Sequence, residues 1–362
     1  MTEKLYKQSI RKLSSKTLGI LGGGQLGKMI GMSASKLGIK VCIFAPSEES
    51  PAFQIADNVF ISEYTDKKSL KEFAKRCDAI TYEFENIPLQ SLEYISNFTN
   101  IYPGLLPLQI SQDRLLEKNF ISNLRIAVTD YSEVKSKKDI KNFLLRTKSS
   151  KCILKTTRQG YDGKGQKRID LKKLENTNIS FKNNKYIVEK FIKLKKEISI
   201  IVVRRKNGST VCFNPSENKH LEGILRETSY PAKISKKIQS TAKRVSIKIA
   251  EALNIVGIIA VEMFITDANN LLVNEVAPRP HNSGHWTIDA CNISQFDALV
   301  RTIFELPIPE FKYSNKCKMI NILGDNYGQI DQSLNKINHK VHIYGKRNIK
   351  SKRKMGHVNI LQ

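Results

Sequence analysis

Two glutamates on successive apolar runs have the type and spacing to do chemistry: Glu262 in AVEMF and Glu275 in LVNEVAPR, separated by a turn at Asp267–Asn270. An unpaired carboxylate inside an apolar strand is expensive. Brought together across a hairpin, the two would make a hard-cation site suited to Mg²⁺ with ATP phosphates, and Asn274 offers another oxygen. Alternation alone equally permits two solvent-facing residues, so this stretch leaves both readings open. PRPHNSGHW follows at once and gathers Arg279, His281, Asn282, Ser283, His285 and the chain's only tryptophan, Trp286. Two histidines and an arginine beside a candidate metal site favour a functional loop over a structural one. No Ser-His-Asp or Cys-His order stands out, so a nucleophilic hydrolase is unsupported.

Two glycine-rich stretches are suited to anions. Lys155 leaves a strand-like run just before Arg158, Gly160, Tyr161, Asp162, Gly163, Lys164, Gly165 and Gln166. Backbone N–H groups of such a loop can cover a triphosphate while the lysine neutralises it. The stretch lacks the G-K-[ST] of a Walker A loop, and a plain hairpin with solvated lysines is the competing reading. The second stretch, Gly22-Gly23-Gly24-Gln25-Leu26-Gly27, sits between a strand and a helix and suits an anion at the helix N-terminus. A dinucleotide site would also need an acidic residue near position 45, where Phe44-Ala45-Pro46 stands. A phosphate or packing role is therefore favoured over NAD binding.

These residues require particular elements. TLGIL, KVCIFA, NVFIS and AITYEF alternate with helical patterns at 26–37, 67–75 and 88–98. Such alternation implies a parallel, doubly wound sheet. Residues 109–123 read as one helix with charges on a face, and an irregular region runs on to about 148. From Lys151 the pattern turns to strands joined by tight turns: CILKT, KYIVEKFI, and EISIIVVRR with TVCFNP across Asn207-Gly208, a hairpin signal. A long helix is expected over 234–253, and IAVEMFIT and NLLVNEVA follow. The division is a basic extension at 1–16, an α/β domain at 17–116, and α+β domains at 117–190 and 191–362.

Composition narrows the classes. The chain has 362 residues, 40% hydrophobic and 26% charged, with 60 Lys and Arg against 34 Asp and Glu for a net charge of +26. At roughly 100–200 residues per domain this suggests two or three domains. No apolar stretch is long enough to span a bilayer as a helix, and the first sixteen residues carry no apolar core of a secretory signal. The six dispersed cysteines form no C-x-x-C pair and read as buried thiols in a reducing, cytoplasmic setting. The charge is spread and rich in lysine rather than arginine, which is weak support for specific nucleic-acid reading.

Taken together, GILGGGQLGKM, YEFENIP, QDRLLEK, GYDGKGQ, EGILRETSYPA, NEVAPRPHNSGHWT and KMGHVN resemble the ATP-grasp superfamily. Within it, they are similar to the 5-(carboxyamino)imidazole ribonucleotide synthase family, over about residues 17–360. The resemblance implies a three-domain ATP-grasp fold, α/β and α+β, with an N-terminal Rossmann-like parallel sheet and a small C-terminal β subdomain. It implies a homodimeric ligase that uses ATP and Mg²⁺, with Mn²⁺ a possible substitute. The substrates would be bicarbonate and 5-aminoimidazole ribonucleotide, joined through carboxyphosphate in purine biosynthesis. Another ATP-grasp carboxylate–amine ligase is the nearest alternative, and a basic nucleic-acid-binding protein is an alternative of a different class.

The resemblance also assigns residues. Arg114, Lys155 and the loop Gly160, Tyr161, Asp162, Gly163, Lys164, Gly165 and Gln166 would hold phosphates. Glu189, Lys190, Phe191 and Ile192 would line the adenine, with Glu197 on the ribose and His220 and Asn274 also on the ATP side. Glu262 and Glu275 would bind the metal. Arg279 and His281 would meet bicarbonate and carboxyphosphate, and Asp162 would take the amine's proton. The ribonucleotide would lie against Gln25, Leu26, Glu83, Asn282, Ser283 and His285, its phosphate against Lys346 and Arg353.

Overall fold

A computed structural model describes residues 13–158, 160, 165–182, 184–314 and 316–362. Tyr161, Asp162, Gly163 and Lys164, and all but the last four residues of the basic extension, lie outside the described residues.

The first sheet is parallel: β1 Thr17–Leu21, β2 Lys40–Ala45, β3 Asn58–Ile61, β4 Ala79–Tyr82 and β5 Ile101–Tyr102, in the order β3-β2-β1-β4-β5. Its central strands are apolar on both faces, as helix-covered parallel strands must be, with Leu18, Ile20, Leu21 and Ile43 fully buried. The helices 25–35, 67–75 and 89–95 fall close to the amphipathic stretches expected. The second sheet, order β6-β9-β7-β8, is antiparallel and comprises β6 Tyr131–Val134, β7 Lys151–Thr156, β8 Gln166–Asp170 and β9 Tyr186–Lys190.

The third sheet holds β10 Leu194–Arg204, β11 Thr210–Cys212, β12 Ser216–Leu221, β13 Ile224–Tyr230, β14 Gly257–Thr266, β15 Leu271–Ala277, β16 Cys317–Leu323, β17 His339–Ile343 and β18 Lys354–Leu361. Its order is β15-β14-β10-β12-β13-β16-β18-β17, with β11 on β10. The C-terminal strands thus continue the sheet that carries the two glutamates. One apolar core joins the first and third sheets: Leu18 and Ile30 belong to the same cluster as Ile201, Phe213, Trp286 and Phe296.

Three local readings are corrected. The helix expected over 109–123 is two, Leu105–Ser111 and Arg114–Asn123. Asp113 breaks out to φ −132°, ψ 111° and accepts from the N–H groups of Leu115 and Leu116, so its charge caps a helix start rather than decorating a face. The stretch expected to be irregular contains β6 and the helix Lys137–Arg146, whose N-cap Ser136 accepts from Asp139 N. Trp286, expected in the substrate loop, is 1% exposed and stacks on Tyr230 at 3.9 Å between centroids, inside the core. Among the described residues no helix is long and apolar enough to cross a membrane.

Candidate active site

The 14–15 hairpin sets the centre of the site. Glu262 and Glu275 face each other directly across β14 and β15, and the register slips immediately beyond them, where Met263 pairs with Val273. Asn274 is the extra, bulged residue. A bulge lets consecutive residues share a face that strict alternation would split, and Asn274 and Glu275 both line one cleft with Glu262. This geometry decides between the two readings the sequence left open: the carboxylates are paired, Glu262 buried at 8% exposure and Glu275 half-buried.

The cleft, about 970 Å³, gathers side chains from all three sheets. Lys155, Gly160 and Gln166 come from the second sheet, with Glu189, Lys190, Phe191 and Ile192 along β9 and just after it. The third sheet adds Glu197, His220, Glu262, Asn274 and Glu275, then Arg279, His281 and Asn282 from the following loop. Gln25, Leu26 and Glu83 close the side nearest the first sheet, and Arg114 lies beside the phosphate loop.

Charges in the cleft are set unequally. Burial would raise Glu262, but His281 Nε2 at 2.9 Å, with His220 and Arg279, holds it down at about 2. The same burial, together with the Glu262 charge, pushes Glu275 up. His281 Nδ1 accepts from Ser283 N at 3.4 Å and lies 2.8 Å from Ser283 Oγ, which accepts in turn from Ser199 Oγ at 2.7 Å. Nδ1 is thus turned to Ser283, and Nε2 faces Glu262. Glu197 Oε2 lies 2.6 Å from His220 Nδ1; burial opposes a charge on that imidazole, and the carboxylate outweighs it, raising the histidine. Glu189 is buried, yet Lys118 and Lys155 keep it below the usual carboxylate range, Lys155 Nζ at 2.9 Å from Oε1. Its side chain is thus set toward lysines.

Some expected residues stand elsewhere. Arg114 does line the cleft, and its guanidinium donates to Thr156 O at the end of β7 at 2.8 Å and to Gly160 O at 2.7 Å. Gly165 does not line the cleft; its carbonyl accepts from Thr156 N, and it turns at φ +71° where a side chain would strike Thr156. Ser283 is buried behind His281. His285 is fully buried between Phe296, Tyr344 and His357, and is a core histidine rather than a cleft residue. Lys346 donates to Lys354 O and Arg353 to Asn348 O, while Lys354 itself faces the cleft.

The glycine-rich turn has no room for a dinucleotide phosphate. Glu83 Oε1 accepts from Gly24 N at 2.6 Å and Oε2 from Gly27 N at 2.9 Å, so the chain's own carboxylate fills the helix N-terminus. A Cβ on Gly22 would come within 2.2 Å of Glu83, which accounts for that glycine. Sequence reasoning missed Glu85, which pairs with Arg279 at 3.0 Å, and Glu117 and Lys118, buried beside the hairpin. The first lay two residues from Glu83 in YEFENIP; the other two had only their place in QDRLLEK, three and four residues from Arg114.

A sheet bearing a lysine and a phosphate loop, set over a second sheet bearing paired acids, is the arrangement of an ATP-grasp enzyme. Residues 119–296 match the family model of the ATP-grasp domain, residues 15–112 that of the ribonucleotide synthetase preATP-grasp domain, and residues 317–362 that of the phosphoribosylaminoimidazole carboxylase C-terminal domain. The N5-carboxyaminoimidazole ribonucleotide synthase of Bacillus subtilis is 40% identical over 347 residues, 95% of this chain and 91% of that protein. The crystal structure of N5-carboxyaminoimidazole synthetase from Staphylococcus aureus complexed with ADP superposes with a TM-score of 0.89 at 38% identity, covering 96% of this chain and 93% of that one. The Aspergillus clavatus synthase in complex with ADP and 5-aminoimidazole ribonucleotide gives 0.89 at 28% identity, covering 97% and 94%. The chain belongs to the N5-carboxyaminoimidazole ribonucleotide synthase family and is an ATP-grasp ligase, as the sequence motifs implied.

Proposed function

We propose that the chain carboxylates 5-aminoimidazole ribonucleotide with bicarbonate at the expense of ATP, in purine biosynthesis. The observation that carries this reading is the single cleft that joins a lysine-bearing phosphate loop, the opposed Glu262–Glu275 pair and the Arg279–His281 loop. A bicarbonate oxygen attacks the γ-phosphorus, the bond between that phosphorus and the bridging oxygen to the β-phosphate breaks, and ADP leaves. The ribonucleotide's exocyclic amine then bonds to the carbon of carboxyphosphate, or of CO₂ released from it, phosphate departs, and the amine loses a proton. Such a transfer needs charge neutralisation and alignment more than covalent help from the protein.

Lys155 neutralises the phosphates, while Arg114 shapes the loop around them by holding its carbonyls. Backbone groups of 189–192 meet the adenine, and Glu197, oriented by His220, meets the ribose. Mg²⁺ fits the hairpin: Asn274 Oδ1 is a buried acceptor with no hydrogen-bond partner among the described residues, beside two carboxylates. Among the described residues no three His, Cys, Asp or Glu groups converge to hold an ion alone, which suits a cation shared between protein and phosphates. When bound it would neutralise charge on the transferring phosphoryl group.

Arg279, anchored by Glu85, faces bicarbonate. His281, with Nε2 at 2.9 Å, helps to hold the Glu262 carboxylate ionised. Gln25, Leu26, Glu83 and Asn282 border the ribonucleotide, and Lys354 takes the phosphate contact first expected of Lys346 and Arg353. Asp162 as proton acceptor stays part of the proposal from motif resemblance alone. A cytoplasmic homodimer completes it, by family likeness.

Phosphate release from ATP and bicarbonate, measured with and without 5-aminoimidazole ribonucleotide, tests the reading. Ribonucleotide-dependent turnover is expected. Turnover driven instead by a different amine would make the chain another carboxylate–amine ligase, and ATP-independent, salt-sensitive oligonucleotide binding in place of turnover would restore the nucleic-acid reading.

A further inference from the structure

Among the described residues β15 is the edge strand of the third sheet, met on its outer side by a single bridge between Val273 and Val128, so most of its outward N–H and C=O groups face no further strand. Buried backbone groups must find partners all the same. Two consecutive side chains of the helix Arg114–Asn123 supply them. Glu117 Oε1 accepts from Val276 N at 2.7 Å. Lys118 Nζ donates to Asn274 O at 2.8 Å and Val273 O at 3.4 Å. An accepting and a donating side chain thus clamp the bulge from either side. Val273 N is held separately, by Ala127 O at 2.9 Å.

Lys118 does more than close an edge. It is 1% exposed, and its ammonium lies 3.7 Å from Glu189 Oε2. Glu189 is in turn held at 2.9 Å by Lys155, the phosphate lysine. One buried cation therefore connects the strand proposed to face the adenine with the strand carrying Asn274 and Glu275. Burying a lysine is costly, and an apolar side chain with a different edge cover would be cheaper if covering were the whole task. The same helix begins at Arg114, whose guanidinium fixes the phosphate loop. Phosphate loop, nucleotide strand and acidic hairpin are all gauged from one rigid element.

We propose that Lys118, with Glu117 beside it, is a positioning residue for the nucleotide–cation complex: it sets the Asn274–Glu275 step at a fixed distance from Glu189. This rests on the reading that Glu262 and Glu275 hold the cation. Groups that orient metal ligands from behind change metal affinity by roughly 10–100-fold when removed.

The test is calorimetric binding of Mg·ADP to the full chain, alongside steady-state kinetics and thermal melting. K118M keeps the aliphatic stem and removes the donor. It is expected to weaken Mg·ADP by about tenfold or more, to raise the Mg²⁺ concentration for half-maximal rate, and to leave KM for the ribonucleotide within about twofold. E117Q keeps an acceptor for Val276 N and is expected to stay within about threefold of the parent, whereas E117L is expected to follow K118M. A K118M protein that melts lower yet binds Mg·ADP as the parent does would reduce Lys118 to an edge cover and overturn the proposal. If K118M does not fold, E117L decides in the same way. E275Q separates the two levels: parent-like Mg·ADP binding there would remove the cation reading itself, while a loss in E275Q without one in K118M would remove only the role of Lys118.

Discussion

Two acidic sites of the molecule, Glu83 just after β4 and the Glu262–Glu275 pair within β14 and β15, are finished in opposite ways. In the first sheet Glu83 accepts two backbone N–H bonds from Gly24 and Gly27, so its oxygens are largely spent inside the protein. In the third sheet Glu262 and Glu275 face each other, with Asn274 Oδ1 alongside lacking a hydrogen-bond partner among the described residues, and His281 Nε2 lies 2.9 Å from Glu262. Burial pushes both Glu83 and Glu275 up. The difference is what remains to be satisfied. Glu83 completes a turn, whereas the acidic hairpin holds repulsion that a divalent cation would relieve. A carboxylate in an apolar strand is thus informative only once its partners are known.

The largest effect should come from the hairpin. Glu275→Gln should cut ribonucleotide-dependent phosphate release by about a thousandfold or more, with the melting temperature unchanged or higher because a repelling charge is gone. Residual activity within tenfold of the parent would mean that the pair is not used in turnover.

Glu83→Ala should reverse the pattern. Two backbone donors lose their acceptor, and stability should fall by about 2–4 kcal/mol in denaturant unfolding. ATP affinity should change little. Equal stability of variant and parent would place the turn's N–H groups on water and dissolve the contrast.

A pH experiment sharpens the comparison further. Burial, with the Glu275 charge behind it, pushes Glu117 up from 4.5 to about 8. Between those values the folded state binds more protons than the unfolded one, so its stability falls as pH rises across that window. The glutamine variant cannot titrate and should show a flatter melting profile from about pH 5 to 8. A parallel slope in both proteins would assign the dependence to other groups.

The smallest effect concerns the basic segment before β18. Lys354→Ala should raise KM for the ribonucleotide about tenfold, since one charge-assisted contact is removed, and Arg353→Ala about twofold or less. The reverse order would return the phosphate contact to Arg353.

Much of this architecture was legible from chain pattern. The parallel strands announce themselves because both faces are covered and their residues are uniformly apolar. The 207–208 turn is equally plain, with Gly208 at φ +85° and Arg204 paired to Thr210. The helix break at Asp113 was missed because a capping aspartate and a surface aspartate look alike until the backbone angle is known. His285 and Trp286 were drawn toward the substrate by their neighbours in HNSGHW, yet the turn Asn282–Gly284 sends the following residues inward.

Sequence by itself determined the N-terminal alternation of strands and helices, the two acids on adjoining strands and, through its motifs, the family. These are local or compositional properties, written in periodicity and residue type. Tertiary structure alone decided that Asn274 joins Glu275 on the cleft, that Glu83 occupies the glycine turn, that Lys354 rather than Arg353 faces the cavity, and that Glu117 and Lys118 grip the hairpin. Each depends on a one-residue bulge, a bond across a long sequence separation, or a strand register. No local pattern encodes these, because the energies that fix them come from partners more than fifty residues away or from a slip of a single position.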